Sequence, residues 1–377
     1  MEKIWYKISK AIEKIKIVLL LIVVLNNSIT IAQNYDQPLD TFPNYSNSSY
    51  FQAMKSSHIH LIGEFHYWEC NSYITISYLT FLNKLNIYPK IIFREEGAAL
   101  SELRNIYLET GDKLILEIMG LSPLERYEID KYRNYYLGLE SENKFKFIGV
   151  DSESSLECLH YFIRSLVSNS KLAVENEYLP FAKVFNSFLD KPNPRSWSKK
   201  YLKKDINEII SILNGSDSLK LRKLLTLKLN NVINSYNLEL KSKHFFYCLE
   251  SSKFKIERER FMANGIYNEF IKDSDSYYFG QFGMAHVVLS TQAYNADKFS
   301  FFVFGSMLNH EKKFTLTNEN IISSIIYYGR RTKVYRHFGV NISNLRNKYS
   351  KVESKNYLLS KEENNTFINN FIFYKKS

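Results

Sequence analysis

Residues 58–66 read HIHLIGEFH. Ile59, Leu61 and Ile62 form a short apolar run that closes on Gly63 and then delivers Glu64 and His66. A run of this length, rich in branched side chains and bounded by glycine, is a strand signal, and its near-continuous hydrophobicity marks a strand buried on both faces. The same unit recurs at Pro89–Arg94 (PKIIFR), Phe145–Val150 (FKFIGV), Ser276–Phe282 (SYYFGQF) and Phe299–Gly305 (FSFFVFG).

Helical patterns lie between these runs. Trp68–Leu85 places Ile74, Tyr78, Phe81, Leu82 and Leu85 at helical spacing. Ser122-Pro123-Leu124-Glu125 supplies an N-cap, a proline at the first helical position and the glutamate of a capping box, opening a helix towards Leu137. Ser154-Ser155-Leu156-Glu157 opens another. Strands that alternate with helices imply βαβ crossovers. The fold class is therefore α/β: a mainly parallel β-sheet flanked by helices, with a helical insertion or cap.

Five stretches follow from this rhythm. Residues 1–32 read as a signal peptide and residues 33–56, with Pro38, Pro43 and a Ser/Asn-rich run, as an irregular lead-in. Residues 57–151 form the first part of the α/β core. Residues 152–272 lack a strand signal and carry long helical periodicity, broken near Lys191-Pro192-Asn193-Pro194 and Asn214-Gly215-Ser216-Asp217. We read them as the helical insertion or cap. Residues 273–377 complete the core and end in a tail. There Ile321–Tyr328 and Lys333–Phe338 fit strands or short helices, and residues 343–366 read as loop.

The leader reading rests on five lysines that precede or touch the apolar run Ile17–Leu25, followed by Thr30-Ile31-Ala32 before Gln33. The nine apolar residues fall well short of the roughly 20 that span a bilayer. The expected location is secreted or periplasmic, with the mature chain starting at Gln33 and no stable membrane span after cleavage. Three cysteines, Cys70, Cys158 and Cys248, allow at most one bridge and fit small buried apolar roles.

Composition excludes several classes. The chain has 377 residues, 45% of them apolar and 15% aromatic, which rules out general disorder. The net charge of +11 is spread along the chain rather than gathered in a patch, so no nucleic-acid partner is expected. The sequence contains no G-x-S-x-G elbow, P-loop, G-x-G-x-x-G or H-E-x-x-H.

Ligands of parallel sheets bind beyond the carboxyl ends of the strands. Glu64 and His66 follow the first strand, Glu95 and Glu96 the second, Asp151 the third and His286 the fourth. Histidines and carboxylates gathered at one rim suit hydrolysis. A histidine takes a proton from water, a carboxylate orients it or acts as base, or the set binds a divalent metal that acidifies water. Gly63 and Gly283 read as points where the backbone turns sharply or approaches a ligand. His58 and His60 alternate on the first strand away from the rim and read as packing or surface residues. Glu69 reads as a helix-start residue, and Arg258-Glu259-Arg260 as a solvated helix face or as an arginine that pairs a rim carboxylate or a substrate anion. Rim side chains beyond packed strands should cost about 1 kcal/mol or less when His66 or His286 is truncated.

Five segments in order, IHLIGEFHYWE, KIIFREEGAALSELRNIYLETGD, FKFIGVD, RERFMANGI and YYFGQFGMAHV, resemble the superfamily that joins the erythromycin esterases, the haem-binding ChaN-like proteins and the TraB/Tiki-type metalloproteases. The resemblance spans most of residues 58–290 as separated motifs. It implies Glu64, His66, Glu95, Arg258 and His286 as catalytic residues; Asp151 and Glu96, which follow strands at the same rim, are read as substrate-binding. The esterase branch implies a histidine-activated water attacking an ester. The Tiki branch implies a metal-bound water cleaving a peptide bond; at this rim, His66, His286 and Glu95 are the residues able to hold such a divalent metal. The ChaN branch implies haem binding in the same pocket without hydrolysis. One residue separates Glu64 from His66 where the esterases have two, and Gly283-x-x-His286 stands where they have His-Asn-x-His. Both departures point towards the ChaN and TraB/Tiki branches. The expected partner is a small-molecule or peptide substrate, and the expected activity is that of an exported hydrolase.

Overall fold

The computed structural model describes residues 54–66, 68, 70–152, 158, 251–289, 304–310, 314, 316, 320–328, 343, 346, 350, 357–361 and 370–374. The leader, Glu69, Ser154–Glu157, Cys248 and Lys333–Phe338 lie outside them.

The described elements run β1 (Ile59–Glu64), α1 (Asn71–Lys84), β2 (Pro89–Arg94), α2 (Ala98–Thr110), α3 (Lys113–Ile118), α4 (Pro123–Leu137), β3 (Lys146–Gly149), α5 (Ser251–Phe270), β4 (Tyr277–Gly283), α6 (Phe304–His310), β5 (Ile321–Tyr327), β6 (Tyr357–Lys361) and β7 (Asn370–Tyr374). The seven strands form one sheet in the order β3-β2-β4-β1-β5-β7-β6. Every pairing from β3 across to β7 is parallel, and only β6 on β7 is antiparallel. The fold is thus α/β with a mainly parallel sheet.

Both faces of the central strands are covered. Ile59, Leu61, Tyr278 and Phe282 pack into one core with Met262, Ala263 and Ile266 of α5 and with Met307 and Leu308 of α6. The alternate residues face α1 and α4. Tyr78 of α1 lies against Phe279 at 6.1 Å and against His60 at 6.4 Å. His60 is fully buried, with Nε2 at 3.0 Å from the Ser57 carbonyl, and His58 stacks on Tyr277 at 5.4 Å. Both histidines are packing residues, as their alternation suggested.

Helix starts follow the local chemistry. Ser122 caps α4 in a complete capping box with Glu125, and Pro123 opens the helix. Helix α1 begins at Asn71 rather than near Trp68, whose ring packs on Tyr328 at 4.4 Å. Two expectations fail. The run Phe299–Gly305 is not a strand to its end, because Phe304 and Gly305 open α6, while residues 299–303 are outside the described set. Within the expected loop 343–366, Tyr357–Lys361 is a strand. Cys70 and Cys158 are buried, and no described helix is long and apolar enough to cross a membrane.

Candidate active site

Strand register builds the site. In the parallel ladders Glu64 lies beside Gly283, and Arg94 beside Gln281. The next residue, Glu95, therefore follows β2 at the level where β4 gives way to the turn carrying His286. A backbone bond from Met284 N to the Glu64 carbonyl, 2.9 Å, ties that turn to β1.

Glu95 is the hub. Its Oε2 accepts from the Gly283 amide at 2.7 Å and lies 3.2 Å from His66 Nε2. Its Oε1 accepts from Arg258 Nη2 at 2.8 Å and lies 3.1 Å from His286 Nε2. Burial alone would raise this carboxyl, but His286 and His66 beside it hold it far below the usual carboxylate range. Each histidine has a second carboxylate on its other nitrogen. His66 Nδ1 is 3.5 Å from Glu64 Oε1, and His286 Nδ1 is 2.7 Å from Glu259 Oε1, an ion-pair contact without aligned hydrogen-bond geometry. The Glu64 and Glu95 carboxylates push His66 up to about 9. Burial pulls His286 down, yet Glu259 and Glu95 outweigh it and hold it at about 10. Burial also pushes Glu64 up, against the bonds it accepts from His66 and Gln281.

Arg258 reaches the rim from α5. It grips Asp151 with Nε at 2.7 Å and with Nη2, the latter also holding Glu95. The structure thus brings Glu64, His66, Glu95, Asp151, Arg258 and His286 together. It does not bring Glu96. That side chain turns the opposite way, where Ser101 Oγ donates to Oε1 at 2.6 Å and Arg104 Nε to Oε2 at 2.9 Å. Consecutive residues at a strand end point to opposite sides, so Glu95 and Glu96 cannot share one pocket. The substrate-binding assignment for Glu96 is therefore replaced by a structural one, in which it anchors α2. Asp151 binds Arg258 rather than facing open space.

Two members were not singled out from the sequence. Glu259 is 3% exposed, and its second oxygen accepts from Phe304 N at 2.8 Å, capping α6. Gln281 donates from Nε2 to Glu64 Oε2 and accepts on Oε1 from Tyr132 Oη at 2.6 Å and Arg94 Nη1 at 2.6 Å. For Glu259 the available signal was its place beside Arg258 in the Arg-Glu-x-x-Met-Ala motif.

The loop bearing His66 is clamped. Asn71 Nδ2 donates to the Phe65 carbonyl at 2.6 Å, Phe65 N donates to Tyr328 Oη at 3.2 Å, and Tyr328 Oη donates to Asn71 Oδ1 at 2.6 Å. Both backbone groups of the residue before His66 are thereby held.

The two glycines act through close packing, since neither has a positive φ. A Cβ on Gly63 would meet Val287 Cγ2 at 2.6 Å and Met284 Cα at 2.8 Å. A Cβ on Gly283 would meet His66 Nε2 at 2.7 Å, Glu95 Oε2 at 3.3 Å and His286 Cδ2 at 3.3 Å.

Each imidazole faces a carboxylate on both nitrogens, and these carboxylates favour its protonated form. Among the described residues no group of three or more His, Cys, Asp or Glu stands in metal-holding geometry. As placed, His66, His286 and Glu95 form an ion-pair network.

The fold and this rim cluster define an α/β protein with a histidine–carboxylate site at the carboxyl edge of its sheet. No protein-family model matches the chain, and no curated protein does. Among solved structures it is similar to a mutant of the erythromycin esterase EreC in an open conformation, at 14% identity over 73% of this chain and 71% of that one, with a TM-score of 0.49. A succinoglycan biosynthesis protein is similar at 13% identity over 93% and 97%, with a TM-score of 0.47. ChaN of Campylobacter jejuni, solved with cofacially bound haem, is similar at 12% identity over 86% and 91%, with a TM-score of 0.34.

Proposed function

We propose that the protein is an exported hydrolase of ester or peptide bonds in which His66 activates water. The observation that carries this reading is the placement of His66. Its side chain is 46% exposed, while the carboxylates on either side of it, Glu64 and Glu95, are about one-tenth exposed. A solvent-facing imidazole held by two buried carboxylates is oriented and made strongly basic in its neutral form. Water attacks the carbonyl carbon as the neutral His66 imidazole takes its proton. The proton then passes to the leaving oxygen or nitrogen as the carbon–heteroatom bond breaks. His286 and Arg258, on the far oxygen of Glu95, supply positive charge for the oxyanion that forms between these events. Export rests on the N-terminal leader pattern and is tested by the N-terminal mass of the released chain, expected to begin at Gln33.

The activity test is a panel of esters and peptides assayed at pH 8–9 with the unsubstituted chain, His66→Ala and Glu64→Gln. A turnover that falls on the order of 10²–10⁴-fold in His66→Ala supports the reading. Cleavage that persists in His66→Ala, or no cleavage by the unsubstituted chain, rejects it.

A further inference from the structure

We propose that Gln281 is a positioning residue for this site: its amide, locked in one orientation from behind by Tyr132 and Arg94, fixes the Glu64 carboxylate against His66. The inference rests on the hydrolase reading above and adds to it a layer beneath the rim that never meets substrate.

Gln281 is 3% exposed on β4, on the same face as the fully buried Phe279. An apolar residue would serve a plain sheet core there, and a buried amide requires partners for both of its ends. Both ends have them. Oε1 takes two donors, Tyr132 Oη and Arg94 Nη1, each at 2.6 Å. A guanidinium has no acceptor, so turning the amide over would set its NH2 against Arg94, donor against donor. Nε2 must therefore face Glu64, and it donates to Oε2. With Oε2 held, Oε1 is the oxygen left to His66 Nδ1 at 3.5 Å. The lock is itself anchored, because Arg94 pairs with Glu128 of α4 at 2.7 Å and Tyr132 packs edge-on to Phe147 at 5.1 Å. Four segments, β1, β2, β4 and α4, thus converge on one carboxylate. A donor that engages Glu64 on one oxygen favours its charged form and a single rotamer, and a fixed carboxylate fixes the imidazole beyond it.

The test pairs kinetics with structure. Gln281→Leu keeps the volume and removes both amide ends. The expected result is a kcat reduced by about tenfold or more, part of what a positioned acid–base group supplies, with KM within about twofold, because no substrate contact is lost. In a Glu64→Gln background the same change should lower kcat little further, since its route to His66 is already cut. Tyr132→Phe keeps the ring packing, drops one donor to Oε1, and should lower kcat in the same direction by less. The second arm needs no substrate. A crystal structure of Gln281→Leu, or of the equally long Gln281→Met should the former not fold, is expected to show Glu64 turned from His66. Glu64 found unmoved, or a full Gln281→Leu effect retained on top of Glu64→Gln, overturns the proposal. If the unsubstituted chain cleaves nothing, the hydrolase reading fails while the crystal structures still judge Gln281 on their own.

Discussion

Gly283 and His66 are fitted to each other: a Cβ on the glycine would stand 2.7 Å from the imidazole Nε2. His66 is the half-exposed partner and the one able to move. Gly283→Ala should therefore leave the sheet assembled while swinging His66 off Glu95. A misplacement of about 1 Å costs on the order of 10²-fold in rate. We expect turnover to drop by that amount with stability changed by about 1–3 kcal/mol, as for modest overpacking. Steady-state kinetics and thermal melts on the same preparation check it, and unchanged turnover would show that His66 needs no fixed place.

The second prediction concerns pH. His66 and His286 sit at about 9 and about 10 when folded, against 6.5 when free. A raised value means that the stability they contribute is complete below pH 6.5 and is lost as pH rises through 9–10. Glu95 is depressed instead, so its contribution is complete above its ordinary 4.5 and is lost as pH falls. The cluster should stabilise the fold most between about pH 4.5 and 6.5 and decline above that. Only neutral His66 accepts a proton, so kcat/KM should rise with pH up to about 9. Melting temperature and activity should thus move in opposite directions between pH 6.5 and 9. A pH–rate profile that is flat across that range counts against His66 as the base.

Truncating the two histidines should have unequal effects. His286 is 16% exposed and separates Glu95 from Glu259. Removing it leaves two buried carboxylates facing each other without the cation between them, a loss of about 3–5 kcal/mol. His66 is 46% exposed, and its removal should cost about 1 kcal/mol or less. Denaturant unfolding of His66→Ala and His286→Ala measures the difference. Equal costs would mean that the Glu259 contact carries no weight. The expectation from sequence, a small cost at both, overlooked that one rim residue lies under α6.

The clamp before His66 gives a further prediction. Tyr328→Phe deletes the hydroxyl that serves both Phe65 N and Asn71 Oδ1. Leaving buried partners unsatisfied costs about 1–3 kcal/mol. Amide hydrogen exchange should accelerate at Phe65 while β1 stays protected. Protection retained at Phe65 would show that another group holds this backbone.

The legible parts of the fold are those whose local chemistry is decisive. Strands buried on both faces leave short apolar runs, and β1, β2, β3 and β4 fall within a residue or so of the expected bounds. Ser122, Pro123 and Glu125 mark a helix start by a bonding pattern that is entirely local. The failures have equally definite causes. Phe304 and Gly305, at the end of one apolar run, belong to the buried start of α6, and a short buried helix has the composition of a buried strand. Glu259 stands in a charged run that reads as a solvated face until Phe304 N and His286 close over it. Gln281 is one polar letter in an apolar strand, and its meaning depends on Tyr132 and Arg94, far away in the chain. Glu96 could be separated from Glu95 only by knowing where β2 ends.

Strand β4 lies between β1 and β2, although those two precede it in the chain. During synthesis β1 and β2 leave the ribosome as strands that cannot pair with each other in the final register. Each presents an open edge until Tyr277–Gly283 arrives, after the whole of residues 150–276 has been made. Unpaired edges are templates for pairing with other chains. A product truncated anywhere before residue 277 would hold a sheet with a gap at its centre and should accumulate as insoluble material. The late strand is also the one that brings Gln281, Gly283 and the turn to His286. Closing the gap and assembling the rim cluster are therefore the same event.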